Sequence, residues 1–265
     1  MYTTLATLIE RLDSGRIADA AVINWGCPIP SFGDLESSRI ATLGLNPSNR
    51  EFVDVTGNEL EGSLRRFHTL RSLGLESWSD AEARDLERIA KTCREYFSGN
   101  PYDRWFRKLD QILCGTGSSF YDAANPACHL DLIPYATECK WTALTTAQRA
   151  KLCMVSGDAL ALLLRDSDIR VLILNGRSVV EQFQYMANVS LCSRPMLQWS
   201  LPRKAADVPG IAYWGMTDEL SGIGLSRDVM VLGYNHNIQS SYGVTAEAIA
   251  AIGFWIANSV EDVLR

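Results

Sequence analysis

The 265-residue sequence predicts an α/β fold, a three-layer sandwich with a central, mostly parallel, four-stranded sheet, in one domain over residues 1–265. Three observations carry that prediction. Short apolar runs rich in β-formers alternate with stretches of helical periodicity, the pattern of strand–helix–strand units. Each apolar run stops abruptly at Asn, Pro or Gly. No linker, internal repeat or low-complexity segment divides the chain.

In chain order, residues 4–20 read as an amphipathic helix, and 25–32, with Gly26, Pro28 and Pro30, as a loop. Residues 40–45 form the first buried strand. It ends at Asn46-Pro47-Ser48-Asn49, because Pro47 cannot donate to a ladder and pushes Asn46 out of the helical region. Residues 59–73 carry Leu60, Leu64, Phe67 and Leu70 at helical spacing, with Gly74 as the stop. Residues 80–97 read as a charged surface helix capped by Ser79, and Asn100-Pro101 opens another with Trp105, Phe106, Leu109 and Ile112 on its apolar face. The second strand is 128–133, ended by Pro134. A long helix follows at 145–165, then a third strand at 169–174, broken by Asn175-Gly176. Residues 178–187 are helical, 211–214 an edge strand, 229–232 the fourth core strand and 245–257 the closing helix.

Composition narrows the class. Hydrophobic content of 47% and charged content of 21% are those of an ordinary soluble domain. The amino terminus lacks a basic start followed by an apolar core, and no apolar run approaches the ~18 residues of a membrane span. The seven cysteines form no CxxC pair and read as reduced thiols of a cytoplasmic protein. Cys128, His129 and Cys139 match no zinc spacing, so neither a metal nor a cofactor is expected. The net charge of −6 argues against a surface that coats nucleic acid throughout. Local basic stretches remain: Arg65-Arg66 with Arg71; Lys91 and Arg94 through Arg104, Arg107 and Lys108; and Arg194 with Arg203-Lys204.

Each predicted core strand delivers polar residues at its carboxyl end: Asn46 and Ser48, Asp131, Asn175, and residues 235–241. In an open parallel sheet that edge is where ligands bind. No GxSxG, GxxxxGK[ST] or GxGxxG motif is present.

GLNPS at 44–48 resembles the first active-site motif of the uracil-DNA glycosylase superfamily, close to the GINPG form of its mismatch-specific branch. RRFHTLRSLGL at 65–75 is similar to the segment that follows it there. DLIPYAT at 131–137 looks like the base-reading strand, VLILNG at 171–176 like the third core strand, and GYNHNIQSSYG at 233–243 stands at the second motif. The resemblance spans residues 39 to 257 and implies a monofunctional DNA N-glycosylase, monomeric, acting on double-stranded DNA by base flipping.

Carried over residue by residue, the resemblance implies that Asn46 holds the attacking water beneath the sugar, by orientation rather than proton abstraction. It implies that His236 donates to the departing base. Asn237, Gln239, Ser240, Ser241 and Arg66 are expected at the DNA backbone, and Phe52 and Tyr121 as aromatic stacking partners of the flipped base. Two departures bear on substrate. Asp131 stands where the family reads the base with Asn. An ionised carboxylate offers only acceptors, which suits cytosine's exocyclic amine and repels uracil's O4. Ser48 stands where classical uracil enzymes place a Tyr against the base's C5 edge, and leaves room there. Together they point to a 5-substituted cytosine, such as the hydroxymethylated or glucosylated cytosine of phage DNA, and to antiviral defence. Three alternatives stay open: uracil or mismatched-thymine repair, a non-catalytic nucleic-acid-binding module, and hydrolysis of a free nucleoside or nucleotide.

Overall fold

The computed structural model describes residues 1–204 and 206–264. Its centre is one six-stranded, mostly parallel sheet in the order β2-β1-β3-β6-β5-β4, flanked by helices. The strands are β1 (Ile40–Gly44), β2 (Ala127–Asp131), β3 (Val171–Asn175), β4 (Cys192–Leu201), β5 (Val208–Leu220) and β6 (Ile223–Tyr234). β1 runs parallel to β2 and β3, and β3 parallel to β6. Every residue of β1, β2 and β3 is buried, which is why these strands read as continuous apolar runs rather than alternating ones. The chain leaves β1 towards β2 and then crosses to β3 on its other side. The carboxyl ends of β1 and β3 therefore flank the topological switch point of the sheet.

The sheet is wider than the four strands expected. β4 and β5 form an antiparallel hairpin, and β5 is antiparallel to β6. The expected edge strand at 211–214 is the middle of β5, and β6 begins six residues before the expected start at 229. β4 lacks a clean alternation because much of it is exposed at the sheet edge. At the opposite edge β2 is not bare: Phe32 and His129 exchange backbone hydrogen bonds of 2.9 Å each way.

The helices are α1 (Tyr2–Asp13), α2 (Leu70–Leu73), α3 (Ala83–Arg94), α4 (Asp103–Asp110), α5 (Thr146–Ser156), α6 (Ala159–Arg165), α7 (Arg177–Ala187) and α8 (Ala246–Leu264). α7 packs on β3 and β6, and α8 on β4 and β6. Four expectations need correction. The helix expected over 80–97 with Ser79 as its cap is α3, which starts at Ala83 with Glu82 at its N-cap and ends at Arg94, because Ser79 lies within a separate 3₁₀ turn, Trp78–Asp80. The helix expected over 59–73 is a 3₁₀ turn at Gly62–Leu64 and the single turn α2. Glu59 bridges Val53 and Phe67 turns into an aromatic cluster, so tertiary contacts override the helical spacing. The long helix expected over 145–165 is two, α5 and α6, parted at Gly157-Asp158. Arg11 holds that break through Asp158 (2.6 and 2.7 Å) and the Val155 carbonyl (2.9 Å). α1 stops at Asp13, short of residue 20. No described helix is long and apolar enough to cross a membrane.

Candidate functional site

The segment after β1 and the segment after β2 stay paired beyond the strands. Leu132 N–H donates to the Gly44 carbonyl (3.1 Å), Ile133 N–H to that of Leu45 (2.9 Å), and Ser48 bridges Thr137. This pairing carries Asn46 to Thr137. The Asn46 amide nitrogen donates to the Pro47 carbonyl (3.0 Å) and to Thr137 Oγ1 (2.9 Å), whose own hydroxyl donates to the Cys139 carbonyl (2.7 Å). The Pro47 carbonyl only accepts, so the amide orientation is determined. Both N–H groups of Asn46 are thus occupied, and its half-buried side chain presents Oδ1 as a free acceptor among the described residues.

Asp131, the last residue of β2, is buried, with 5% of its surface exposed. No described residue gives its carboxylate a hydrogen bond; His129 Nε2 stands 3.6 Å from Oδ1. The carboxylate lies against Gly44, the residue paired with it across the strands: a Cβ at that position would stand 2.3 Å from Asp131 Oδ1. A large side chain at residue 44 would close this space, which gives the glycine of GLNPS a steric reason.

The second group of residues at the carboxyl ends of the strands is tied to β3 and β6. Tyr234 Oη donates to Asn175 Oδ1 (3.0 Å), and Asn175 Nδ2 donates to Gln239 Oε1 (2.8 Å). Gln239 Nε2 is buried and has no acceptor among the described residues. Asn237 caps its own loop, its Oδ1 accepting from the backbone N–H groups of Gln239 (3.1 Å) and Ser240 (3.0 Å). Ser240 is exposed and Ser241 half-buried in the same loop. Ser48 caps the turn Asn49–Glu51 by accepting from Arg50 N–H at 3.2 Å.

Several expected roles do not fit where the side chains lie. His236 is buried and its Nε2–H donates to the Trp199 carbonyl (2.7 Å). Burial holds its pKa below the ordinary histidine value, aided by the nearby charge of Arg203. The neutral ring has spent its one N–H, so His236 has no donor left for a departing base. Phe52 is not a loop platform but a core ring, 2% exposed, packed edge-on to Trp25 at 5.9 Å and filling the space a Cβ at Gly26 would need. Tyr121 lies before the amino end of β2, donates to Asp103 (2.7 Å) and sits under Arg107 at 4.6 Å, away from Asn46's edge of the sheet. Arg66 donates to the carbonyls of Asn100 (3.0 Å) and Arg50 and lies over the Tyr102 ring, so it braces loops.

The site also holds Thr42 and Glu51, which the sequence did not single out, and His129, which it offered only as a zinc ligand. Thr42 Oγ1 lies 2.7 Å from His129 Nδ1, on the same sheet face as Gly44 and Asp131. Counting back by two from Asp131 would have found His129. Glu51 gave no such signal. It is 3% exposed and accepts from Tyr96 Oη at 2.8 Å. Burial raises its carboxyl to about 7, against the pull of Tyr96 and Arg66 and with the help of Asp131's charge.

A pH effect on stability follows. A carboxyl that binds its proton more tightly when folded stabilises the fold fully below its unfolded value near 4.5 and loses that contribution as pH rises through about 7. The difference amounts to about 3 kcal/mol between pH 4 and pH 8. Glu51→Gln keeps an acceptor for Tyr96 and removes the titration. Chemical denaturation should therefore show the variant gaining on wild type by roughly that amount as pH rises across this window. Parallel pH profiles for the two proteins would show that Glu51 is ionised at neutral pH.

Among the described residues, no group of three or more His, Cys, Asp or Glu side chains is arranged to hold a metal ion. Cys128 and His129 are consecutive on a strand and so point to opposite faces. Two open hollows lie away from the Asn46 edge: one of about 460 Å³ between β4 and α8, and one of about 540 Å³ beside Arg11 and Ser221.

No protein-family model matches this sequence, and no curated protein matches it either. The functional reading therefore rests on the geometry and chemistry of Asn46, Asp131 and their partners.

Proposed function

We propose that the protein is a DNA glycosylase that hydrolyses the bond between deoxyribose and a flipped pyrimidine, leaving an abasic site. The observation that carries this reading is the Asn46 side chain. Its amide nitrogen is held by Pro47 and Thr137, which leaves Oδ1 free just beyond the carboxyl end of β1. An acceptor fixed in this way orients a water for attack without having to remove its proton first. Such a group suits a dissociative reaction, in which the sugar becomes cationic before water adds. Gln239, whose amide nitrogen lacks an acceptor, takes the place of His236 as donor to the departing base.

The preferred base is a 5-substituted cytosine. Asp131 supports this as a buried carboxylate that accepts and has no full hydrogen bond among the described residues. It matches an exocyclic amine and repels a keto oxygen. The small Ser48 adds room for a 5-substituent. A glycosylase of this kind would act on phage DNA with modified cytosines and spare unmodified DNA.

The commitment of His236 to Trp199 favours a second reading, a nucleic-acid-binding module without catalysis. One experiment separates the two. Duplexes carrying uracil, cytosine, 5-hydroxymethylcytosine or its glucosylated form are incubated with the protein and assayed for abasic sites and for binding at rising salt. The expected result is abasic-site formation on the modified cytosines and binding that weakens steeply with salt. Asp131→Asn should move the preference towards uracil. Salt-sensitive binding with no abasic site on any duplex would select the second reading.

A further inference from the structure

Asp131 is the end of a file of polar groups that crosses the buried face of the sheet. Thr42 pairs with His129 across β1 and β2, and Gly44 pairs with Asp131. Residues two apart on a strand share a face, so Thr42, Gly44, His129 and Asp131 all point the same way. The His129 ring is caged by apolar groups, with Trp105, Phe32 and Phe106 at 5.0, 5.5 and 5.5 Å between ring centroids. Its ring nitrogens meet Thr42 Oγ1 at Nδ1 (2.7 Å) and Asp131 Oδ1 at Nε2 (3.6 Å).

This arrangement decides the tautomer. An ionised carboxylate only accepts, so the nitrogen that faces it carries the hydrogen. In the uncharged ring Nε2–H then points to Asp131, and Nδ1 accepts from Thr42 Oγ1–H. At 3.6 Å the Nε2–H attracts Asp131 without forming a full hydrogen bond. The carboxylate is therefore steered but left with its lone pairs available. Gly44 makes this possible, since a Cβ there would also come within 3.0 Å of His129 Nε2.

We propose that Thr42 and His129 are positioning residues that hold Asp131 as an acceptor-only edge and thereby select a pyrimidine with an exocyclic amine over one with a keto oxygen at that place. This inference rests on the glycosylase reading for its substrate, but the file itself can be tested without it.

The chain has three histidines, so their ring nitrogens are separable by nitrogen-15 NMR. The expected spectrum shows the His129 ring proton on Nε2, and a change at Nδ1 in Thr42→Val, which keeps the shape of the side chain and removes its hydroxyl. A proton on Nδ1 of His129 would overturn the file, whatever the protein does to DNA. The second arm measures the ratio of base release from 5-hydroxymethylcytosine to that from uracil. His129→Leu, which has no donor, should lower that ratio by about tenfold or more, the size expected for losing a polar contact to a charged group. His129→Gln, which places an N–H near the same position, should restore most of it. Thr42→Val should shift it in the same direction as His129→Leu, and it decides the matter if the leucine variant does not fold. A ratio unchanged within about twofold in the folded variants overturns the selection role. Absence of base release from every duplex in the wild-type protein overturns the glycosylase reading and leaves the tautomer result standing.

Discussion

Asn46→Ala is expected to abolish base release, with the rate constant falling by at least ~10³-fold, while folding and duplex binding stay close to wild type. The size follows from what the side chain does. Its two N–H bonds to Pro47 and Thr137 hold the amide, and in the proposed reaction the free Oδ1 is the group that fixes the water. Alanine removes that acceptor and leaves an unoriented solvent molecule in its place. Folding should be little affected, because Asn46 is half-buried and Thr137 keeps its own bond to the Cys139 carbonyl. Single-turnover assays on a modified-cytosine duplex measure the first effect, and binding titrations on the same duplex measure the second. Thr137→Val offers a graded comparison: it frees one amide hydrogen without removing Oδ1, and should cost less than the alanine. Full excision by Asn46→Ala would remove Asn46 from the chemistry.

Gly44→Ala should damage both the fold and the choice of base. The added Cβ would stand 2.3 Å from Asp131 Oδ1, far inside contact distance, and 3.0 Å from His129 Nε2. β1 cannot slide away, because β2 and β3 pair with it on both sides. Overpacking of this kind costs about 1–3 kcal/mol, or a fall in Tm of roughly 2–10 °C for a domain of this size. Asp131 must also leave its position, so excision of modified cytosine should drop by about a hundredfold with uracil less affected. A double-mutant cycle identifies the clash. Asp131→Ala in the Gly44→Ala background should recover part of the lost stability, because it removes the atom the new Cβ meets. Strictly additive losses would show that some other contact carries the cost.

The parts of this protein set by neighbours along the chain were legible in the sequence. The apolar run before Asn46-Pro47 must end as a strand there, and Asn175-Gly176 must stop β3, because proline and glycine act on their own backbone. The first of those stops also placed Asn46 just past the end of β1, where the structure has it, whereas Asp131, expected inside a strand over 128–133, is the last residue of β2. Helical spacing alone misread residues 59–73 and 145–165. In the first, the aromatic packing of Phe67 and the brace of Arg66 outweigh propensity; in the second, the bonds of Arg11 hold the chain at Gly157-Asp158.

The working details of the site belong to tertiary structure. Thr42 meets His129 across 87 residues, and Asn46 meets Thr137 across 91. No local pattern encodes a pairing of that reach. His236 shows the same limit from the other side. Its place after β6 suggested a free donor, but the hairpin of β4 and β5 brings the Trp199 carbonyl to its only N–H. Periodicity and turn chemistry determined where the polar groups leave the strands. Which of those groups keep a free donor or acceptor was decided by the partners that folding brought to them, because a buried hydrogen-bonding group is satisfied by whatever packs against it.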